Sequence, residues 1–264
     1  GSQLALLGSR KSPLILPSSG GISRNGYNAA STDGATIARQ QALNAFSDAS
    51  AFGAVTDFTG RGMSSAYAQA ATANTIVSAA SSTVDQYFKN PTTGSTLTSE
   101  ISRQLLRAAR MIEARNTLGH AKQTFFVSQG GYDNHNGQVA SHNNLYADLA
   151  MALAGFYAAM KALGLANNVT AFTMSDFGRV YKPNANAGTD HAWGSNHLVL
   201  GAALSSRKVH GRYPDTTFGG AEDAYNDGRW FPSIAVEEYV GAIAQWYGVA
   251  AADMPYVFPN CATW

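Results

Sequence analysis

Residues 124–135 have the sequence Thr124-Phe125-Phe126-Val127-Ser128-Gln129-Gly130-Gly131-Tyr132-Asp133-Asn134-His135. The β-branched and aromatic run over 124–128, closed by two glycines, predicts a buried strand that ends in a loop. Apolar residues then recur every three or four positions over 145–163, and Gly164 supplies a stop signal, so a helix is expected there. A second strand is predicted over 169–174. Strand, helix and strand in this order form a βαβ unit with parallel strands, and the predicted fold class is therefore α/β.

Further elements are predicted on both sides of this unit. Ala-rich stretches over 35–52 and 63–88 and an amphipathic stretch over 98–117 indicate helices. After the unit we expect a third strand over 198–202, a hairpin arm over 209–213, and a last helix from a Ser233 cap to about Tyr247. The simplest organisation is one α/β domain over 1–264. It would comprise an irregular surface segment (1–34), a helical part (35–120), and a part with the sheet, the polar loops and the last helix (121–264).

The composition limits the classes of function. Of the 264 residues, 45% are hydrophobic and 13% are charged, whereas an ordinary domain carries about 25% charged residues, so a folded chain is expected. The formal charge is +1 without a basic run, which argues against nucleic acid as a partner. No apolar stretch approaches the ~20 residues that cross a bilayer, so no membrane span is expected. The single cysteine, Cys261, excludes an internal disulfide and leaves nitrogen and oxygen as the metal ligands.

Carboxylates and imidazoles are concentrated in the loops next to the predicted strands. They are Asp133 and His135 after the first strand, Asp176 after the second together with Arg179, and Asp190 and His191 before the third. Because the loops at the carboxyl ends of parallel strands converge on one rim, we expect these side chains to lie together. Such a mixed set of ligands suits zinc, manganese or iron better than calcium. The sequence therefore predicts a shared metal site.

Each motif taken alone also has a structural interpretation. Asp133-x-His135 is typical of a turn, the segment around Asp176 is typical of a helix cap, and the segment around Asp190 is typical of an Asx turn. Loops that only brace one another by hydrogen bonds therefore stay an alternative to a metal site. His197 is interpreted as a structural hydrogen-bonding residue. The tryptophans are interpreted as packing residues rather than a carbohydrate platform: Trp193, Trp230, Trp246 and Trp264.

Known catalytic signatures are absent from the chain. It has no Gly-x-Ser-x-Gly elbow, no phosphate-binding P-loop and no Gly-x-Gly-x-x-Gly motif. These absences argue against a serine α/β-hydrolase, a P-loop NTPase and a Rossmann dehydrogenase.

Three ordered motifs resemble those of the bacterial family called domain of unknown function 1501. They are Gly131-Tyr132-Asp133-Asn134-His135-Asn136-Gly137-Gln138, Ser175-Asp176-Phe177-Gly178-Arg179 and Gly188-Thr189-Asp190-His191. The tail, from Gly228-Arg229-Trp230-Phe231-Pro232 to Val257-Phe258-Pro259-Asn260, resembles the ending of that family. The resemblance thus extends from about residue 123 to the C-terminus.

This resemblance implies a fold and an activity. The family is placed in the alkaline phosphatase and sulfatase superfamily, which implies a central, mostly parallel sheet flanked by helices. It also implies an exported protein, periplasmic or secreted, that hydrolyses phosphate or sulfate esters with a divalent metal. Zinc is the expected metal, with manganese and iron as alternatives. The expected partner is a small anionic ester.

The resemblance also implies roles for individual residues. Asp133, His135 and His191 would be ligands of one metal, and Asp176 would serve the same metal or a second one. Arg179 would steady the site or contact an anionic oxygen. From its position next to His191, Asp190 is expected to orient that imidazole by accepting its free ring N–H. Arg179 and Asp190 are therefore the predicted catalytic residues.

The nucleophile expected of such an enzyme is not found. In longer family members the amino-terminal half should carry a metal-binding Asp and a Ser or Thr nucleophile, and no matching segment is found here. Two interpretations follow. The chain is the C-terminal portion of the full fold, with the missing half removed or supplied by a partner chain, or it is a shortened relative that has lost part of the site. The alternative function is a non-catalytic exported binding or assembly protein that keeps a phosphatase-like fold with an incomplete site.

Overall fold

The computed structural model describes residues 13–23, 30–47, 53–79, 83–204 and 208–261. The chain divides into two units: Gly1–Gly130 with Leu145–Ala166, and Gly131–Asn144 with Asn167–Trp264. The described helices are α1 (Gly34–Ser47), α2 (Ala54–Val77), α3 (Glu100–Glu113), α4 (Arg115–Leu118), α5 (Gln138–Ala162), α6 (Val236–Tyr247) and α7 (Met254–Val257). The described strands are β1 (Ala171–Phe172), β2 (Gly178–Arg179), β3 (His191–Ala192) and β4 (Val199–Leu200). The single-domain organisation stays a prediction.

The first unit is helical and is built around α3. Ser99 caps this helix, because its hydroxyl accepts a hydrogen bond from the Ser102 N–H at 3.4 Å. The predicted apolar face is confirmed, since the residues on it are buried: Ile101, Leu105, Ala108 and Ile112. The predicted helix over 98–117 is divided into α3 and α4 near Ala114, and Gly119 in the left-handed conformation ends α4.

The helix predicted around the apolar repeat, with an expected length of about 25 residues, is confirmed as α5, which has 25 residues and begins at Gln138. Its buried face is formed by small residues together with two large ones: Ala152, Gly155, Phe156, Ala159 and Met160. A Cβ on Gly155 would lie 2.6 Å from the Tyr87 carbonyl oxygen, so only glycine lets the helix approach this closely. Tyr87 belongs to the 3-10 turn Asp85–Tyr87, which takes the place of the last part of the helix predicted over 63–88.

The start of the chain is irregular where it is described, as predicted. Residues 13–23 contain no helix or strand and are held by side chains of the helical part. Asn74 on α2 bonds both the N–H and the C=O of Ile22, at 2.7 and 2.8 Å. Arg107 on α3 donates to the carbonyls of Ser18 and Gly20. The rest of the predicted segment, 1–12 and 24–29, and residues 48–52 of the first predicted helix lie outside the described residues.

The strands of the described chain differ from the predicted parallel sheet. They form two small antiparallel pairs, β1 with β4 and β2 with β3, all in the second unit. The predicted strands over 169–174 and 198–202 are confirmed only at their centres, as β1 and β4. They pair directly with each other in antiparallel register, Ala171 opposite Leu200. The chain therefore has mixed helices and strands, and a parallel central sheet is not among its described residues.

The predicted first strand, over 124–128, is wrong. Strand structure needs a hydrogen-bonded neighbour, and here the backbone N–H and C=O of Ser128 are both bonded by the side-chain amide of Gln104 on α3, each at 2.9 Å. Phe125 and Phe126 remain exposed, at 38% and 50%. The segment is rich in β-branched and aromatic residues, which is why its sequence resembles that of a strand.

The last helix ends as predicted and begins later than predicted. Gly248, with φ 110°, follows Tyr247 and stops α6. Ser233 is not its cap, because its hydroxyl bonds the N–H and C=O of Arg212 instead. The carboxylate of Glu238 accepts the Ala235 N–H at 2.6 Å and takes over the capping role. The predicted hairpin arm over 209–213 forms no strand where it is described. No described helix has the length and apolar character that crossing a membrane requires.

Candidate metal centre

The pairing of β2 with β3 places two of the predicted site residues next to each other. Arg179 on β2 lies opposite His191 on β3. A Cβ on Gly178 would overlap the Gly194 carbonyl, so the two strands approach closely only because residue 178 is a glycine. The backbone N–H of Val180 donates to the Asp190 carbonyl at 2.9 Å and extends this ladder beyond β2.

The loop that carries Asp133 and His135 is bound to the chain just before β3. Gly137 and Gln138 donate backbone hydrogen bonds to the carbonyls of Asn186 and Ala187, and Thr189 donates to the carbonyl of Asn134 at 3.2 Å. Asn184 also donates from its side chain to the His135 carbonyl at 3.0 Å. The convergence expected from a parallel sheet is thus produced by hydrogen bonds between loops.

Three predicted ligands form a cluster. One ligand atom from each of Asp133, His135 and His191 lies within 4.8 Å of the other two. Both imidazoles direct Nε2 at the same carboxylate oxygen, Oδ1 of Asp133, at 3.1 Å for His135 and 2.9 Å for His191. About half of each side chain is exposed, so the cluster is open to solvent.

Arg179 supports this cluster from the buried side. Its guanidinium is 13% exposed and donates to Asp133 Oδ1 at 2.5 Å and to the Asn134 carbonyl at 2.8 Å. It also donates to the hydroxyl and the carbonyl of Thr189. These four hydrogen bonds occupy most of the five N–H groups of an arginine. Arg179 therefore steadies the loops, and the structure does not direct it toward a free anionic oxygen.

The electrostatic consequence appears at Asp133. The hydrogen bond from Arg179, and after it the hydrogen bond from His191, lower the pKa of this carboxyl below its ordinary value of 3.8. The carboxylate is thus kept ionised, which is the form that binds a cation. Its second oxygen, Oδ2, has no hydrogen bond from any residue that the structure describes.

Asp190 lies beside His135 rather than beside His191. Its Oδ1 is 3.2 Å from His135 Nδ1, whereas the sequence interpretation paired it with the adjacent His191. Asp190 immediately precedes β3, and its carboxylate contacts the imidazole of another loop rather than that of its direct neighbour. If His135 gives its Nδ1–H to Asp190, its Nε2 keeps a lone pair for a metal, which is the usual carboxylate–histidine arrangement.

Asp176 is not part of the cluster. It lies exposed in a bend just before β2, and the ligand group formed by the described residues contains Asp133, His135 and His191 without it. Its neighbour Phe177 instead stacks on the His191 ring, with centroids 3.9 Å apart and planes 14° from parallel. His197 also lies outside the group: its ring stacks on Tyr239, and its Nδ1 is 3.4 Å from the Thr173 hydroxyl.

The residues that position His191 and the loop after it were not predicted from the sequence. Phe177 packs on its ring, and the Arg229 Nε–H donates to its carbonyl at 3.1 Å. Arg229 is itself placed by Asp223, a buried carboxylate that accepts the backbone N–H groups of Gly228 and Arg229. Asp223 follows a turn in a polar segment, and its sequence gives no signal that distinguishes it from a surface acid.

The donor set fits a first-row divalent cation. Two imidazole nitrogens and one carboxylate oxygen are ligands of zinc and of non-haem iron sites that keep positions open for water or substrate. Zinc–ligand distances of about 2.0–2.2 Å separate tetrahedral ligands by roughly 3.3 Å, close to the nitrogen–oxygen spacings found here. The side-chain oxygen of Asn134, between the two ligands in sequence, is buried and accepts no hydrogen bond from the described chain. Asp133, His135 and His191 are the residues that would hold the ion.

Comparison with known proteins identifies the family. Residues 3–228 match the model of the family described as "Protein of unknown function (DUF1501)", and the chain belongs to this family. The match gives no support to the interpretation of the chain as only the C-terminal portion of the family. The predicted family ending after residue 228 lies outside the matched range. No curated protein and no solved structure is significantly similar to the chain.

Proposed function

We propose that the protein is a metal-dependent hydrolase of phosphate or sulfate esters. The observation that carries the proposal is the convergence of His135 Nε2 and His191 Nε2 on one oxygen of Asp133, in a group open to solvent. Zinc is the proposed ion, with manganese and iron as alternatives, because two nitrogens and one carboxylate suit all three. When bound, such an ion polarises an ester oxygen and makes water a stronger acid.

The surrounding residues have positioning roles in this proposal. Asp133 is held ionised and in place by Arg179, and His135 is oriented by Asp190 through its Nδ1. Three protein ligands leave part of a four- or five-coordinate shell for substrate and water. Because Arg179 is committed to Asp133 and to backbone carbonyls, recognition of an anionic ester would depend mainly on the ion. No residue is assigned as the nucleophile.

A second candidate is favoured by the same hydrogen bonds. The oxygen of Asp133 that faces both histidines also accepts from Arg179, so the group is a closed polar network even without an ion. Such a network would only brace the loops around β2 and β3. A protein of this kind, as a non-catalytic binding or assembly protein, would keep its structure and stability in the presence of a chelator.

Hydrolysis assays distinguish the two candidates. The full-length protein, purified without chelator, is incubated with 4-nitrophenyl phosphate and with 4-nitrophenyl sulfate. We expect one ester to be cleaved, the rate to be lost on chelation, and the rate to return with zinc, manganese or iron. The variant His191→Ala should be inactive, whereas His210→Ala, which changes an exposed histidine outside the cluster, should retain the rate. A folded protein that cleaves neither ester and whose stability is unchanged by a chelator would favour the non-catalytic candidate.

The proposal extends to location and descent. Membership in the alkaline phosphatase and sulfatase superfamily and export to the periplasm or the medium are supported by the sequence resemblance. The low proportion of charged residues agrees with export as well. In fractionated bacterial cells we expect the protein in the periplasmic or secreted fraction. Recovery of the native protein from the cytoplasm alone would contradict export.

A further inference from the structure

An open groove adjoins the candidate metal centre at His191. It has a volume of about 410 Å³ and is lined by Phe177, His191, Ala192, Trp193, Tyr225 and Arg229. All of these residues belong to the second unit, and β3 and the Tyr225–Arg229 segment supply most of them. This volume lies within the range of about 300–1,000 Å³ that is typical of small-molecule pockets.

Aromatic rings with exposed surfaces are concentrated at this groove. Trp193 stacks on Phe231, with centroids 5.4 Å apart and planes at 28°, and meets Tyr225 edge to face at 6.2 Å. The exposed fractions are 53% for Trp193, 49% for Phe231 and 65% for Tyr225. Single exposed aromatic residues are common, whereas a contiguous group beside a polar cluster is typical of a binding surface. Trp193 is predicted as a packing residue because no spacing puts the tryptophans on one exposed face, whereas the structure leaves about half of it exposed beside these two aromatic rings.

The charge of the groove is balanced internally. Arg229 pairs with Asp227 at 2.7 Å, donates to the His191 carbonyl, and lies over the Tyr225 ring at 5.1 Å. Two of its five N–H groups are therefore used within the chain, and its charge is paired with that of Asp227. The other polar groups of the lining side chains are the His191 imidazole, the Tyr225 hydroxyl and the Trp193 indole N–H. A sugar, which needs many hydrogen bonds, is disfavoured, and a flat apolar ring is favoured.

We propose that this groove is a subsite for an aryl group, so that the protein binds esters whose organic part is aromatic. The ring would stack on Trp193 and Tyr225 while the ester group reaches His191. The link to an ester rests on the proposed function. The binding of an aromatic ring by the groove rests only on the geometry of its side chains and does not need a metal.

The experiment measures binding of 2-naphthol and of glucose to the full-length protein in the presence of a chelator, by ligand-observed NMR titration. We expect 2-naphthol to bind and glucose not to bind. Trp193→Ala and Tyr225→Ala should each weaken naphthol binding about tenfold, which corresponds to loss of an aromatic contact of ~1.4 kcal/mol. Trp246→Ala, which removes a 43% exposed tryptophan outside the groove, is the matched control and should bind as the parent does.

Several outcomes would overturn the subsite. They are no naphthol binding by the parent, binding unchanged in both groove variants, an equal loss in Trp246→Ala, or binding of glucose in preference to naphthol. The use of two groove variants keeps the test decisive if one of them does not fold. Because the assay contains a chelator, its result is independent of metal binding and ester hydrolysis. A failure of the proposed function would appear in the hydrolysis assay and leave naphthol binding intact.

Discussion

At the scale of single residues, Asp133 connects all parts of the candidate site. Its Oδ1 faces Arg179 and the Nε2 atoms of His135 and His191. This arrangement of one carboxylate oxygen and three nitrogens is favourable in either of two ways. Each nitrogen donates a proton to the oxygen in a hydrogen bond, or a cation takes the place of the protons on the two imidazoles. Metal binding at this position would therefore release protons.

The supporting role of Arg179 predicts a loss of both stability and metal affinity when it is shortened. Arg179→Ala leaves the carbonyls of Asn134 and Thr189 without their donor, and we expect the free energy of unfolding to fall by about 1–3 kcal/mol. Metal affinity should fall about 10–100-fold, as for other residues that orient a ligand. Urea unfolding and competition with a chromophoric chelator measure the two effects. Arg179→Lys, which keeps the charge but not the fork of donors, should recover only part of each loss. Unchanged metal affinity in Arg179→Ala would contradict the supporting role.

Substitution of Asp190 and of Asp176 should have different effects on the affinity for zinc. Asp190→Ala removes the carboxylate at His135 Nδ1, so the affinity for zinc should fall about tenfold or more. Asp176→Ala changes an exposed residue outside the ligand group and should leave zinc affinity within about twofold of the parent. Competition titrations on both variants check this pair. A large loss in Asp176→Ala with none in Asp190→Ala would restore the ligand set that the sequence predicted.

Five of the six predicted site residues lie close together in the structure, and Asp176 does not. Asp133 and His135 are separated by one residue, and Arg179 and His191 become neighbours once β2 pairs with β3. The partner of Asp190 could not be predicted, because it depends on how the loop that carries His135 is bound to the chain before β3. The aryl groove could not be predicted either, since Trp193 and Tyr225 are 32 residues apart in sequence and meet only in the folded unit.

At the scale of elements, the site depends on how closely loops approach each other. Gly188 precedes β3 and lies against the loop that carries the first two ligands. A Cβ there would overlap the backbone of His135 and Asn136. The spacing of His135 and His191 is therefore fixed by a residue that has no functional group.

Gly188→Ala should separate the loops and abolish tight metal binding while the helices of the first unit remain folded. Circular dichroism and a zinc competition titration are the measurements. Gly130→Ala adds the same methyl group at a glycine where a Cβ meets no atom within 4 Å, and it should keep the parent affinity. Equal affinities of the two variants would mean that the loop contact does not define the site.

The contact of α6 with the β1–β4 pair predicts a pH dependence of stability. Tyr239 on α6 donates to the carbonyls of Thr173 and Leu198, at 3.1 and 3.2 Å, and burial raises its pKa from 10.0 to about 12. Because the folded protein favours the neutral phenol, this contribution is complete below pH 10 and is lost as the pH rises toward 12. An absorbance titration should show one tyrosine that ionises near pH 12.

Tyr239→Phe should remove this late ionisation and lower the free energy of unfolding at pH 7 by about 1–2 kcal/mol. Tyr213→Phe, which changes a 59% exposed tyrosine, should lower it by less than about 0.5 kcal/mol. Urea unfolding at pH 7 supplies the comparison. A Tyr239→Phe protein that still shows the late ionisation would assign the raised pKa to another residue.

Helices were easier to predict from this sequence than strands, for a physical reason. The buried face of α3 follows from the local spacing of its apolar residues. Ser99 caps the start of α3 and Gly119 ends α4, both within a few residues of the predicted bounds 98–117. Strands depend on distant partners. The run over 124–128 has the composition of a strand, but Gln104 satisfies the backbone of Ser128 in place of a neighbouring strand. The order of strand, helix and strand therefore did not produce the parallel unit.

At the scale of the whole molecule, we propose that the second unit of the chain binds a divalent metal. Metal binding would couple folding to the ion, because a ligand that binds only the folded state raises the free energy of unfolding. At a free concentration 100 times the dissociation constant, this stabilisation is about 2.7 kcal/mol. Zinc should raise the melting temperature of the parent protein and of His210→Ala, and it should not raise that of His135→Ala.

The most direct test is the metal content of the protein purified without chelator, measured by elemental analysis per chain for the parent, His191→Ala and His210→Ala. We predict about one equivalent of zinc, manganese or iron in the parent and in His210→Ala, and less than a tenth of that in folded His191→Ala. A parent protein that holds no such metal, even after incubation with each of the three ions, would contradict metal binding by Asp133, His135 and His191. In that case Asp133, His135, His191 and Arg179 would form a hydrogen-bonded brace between loops.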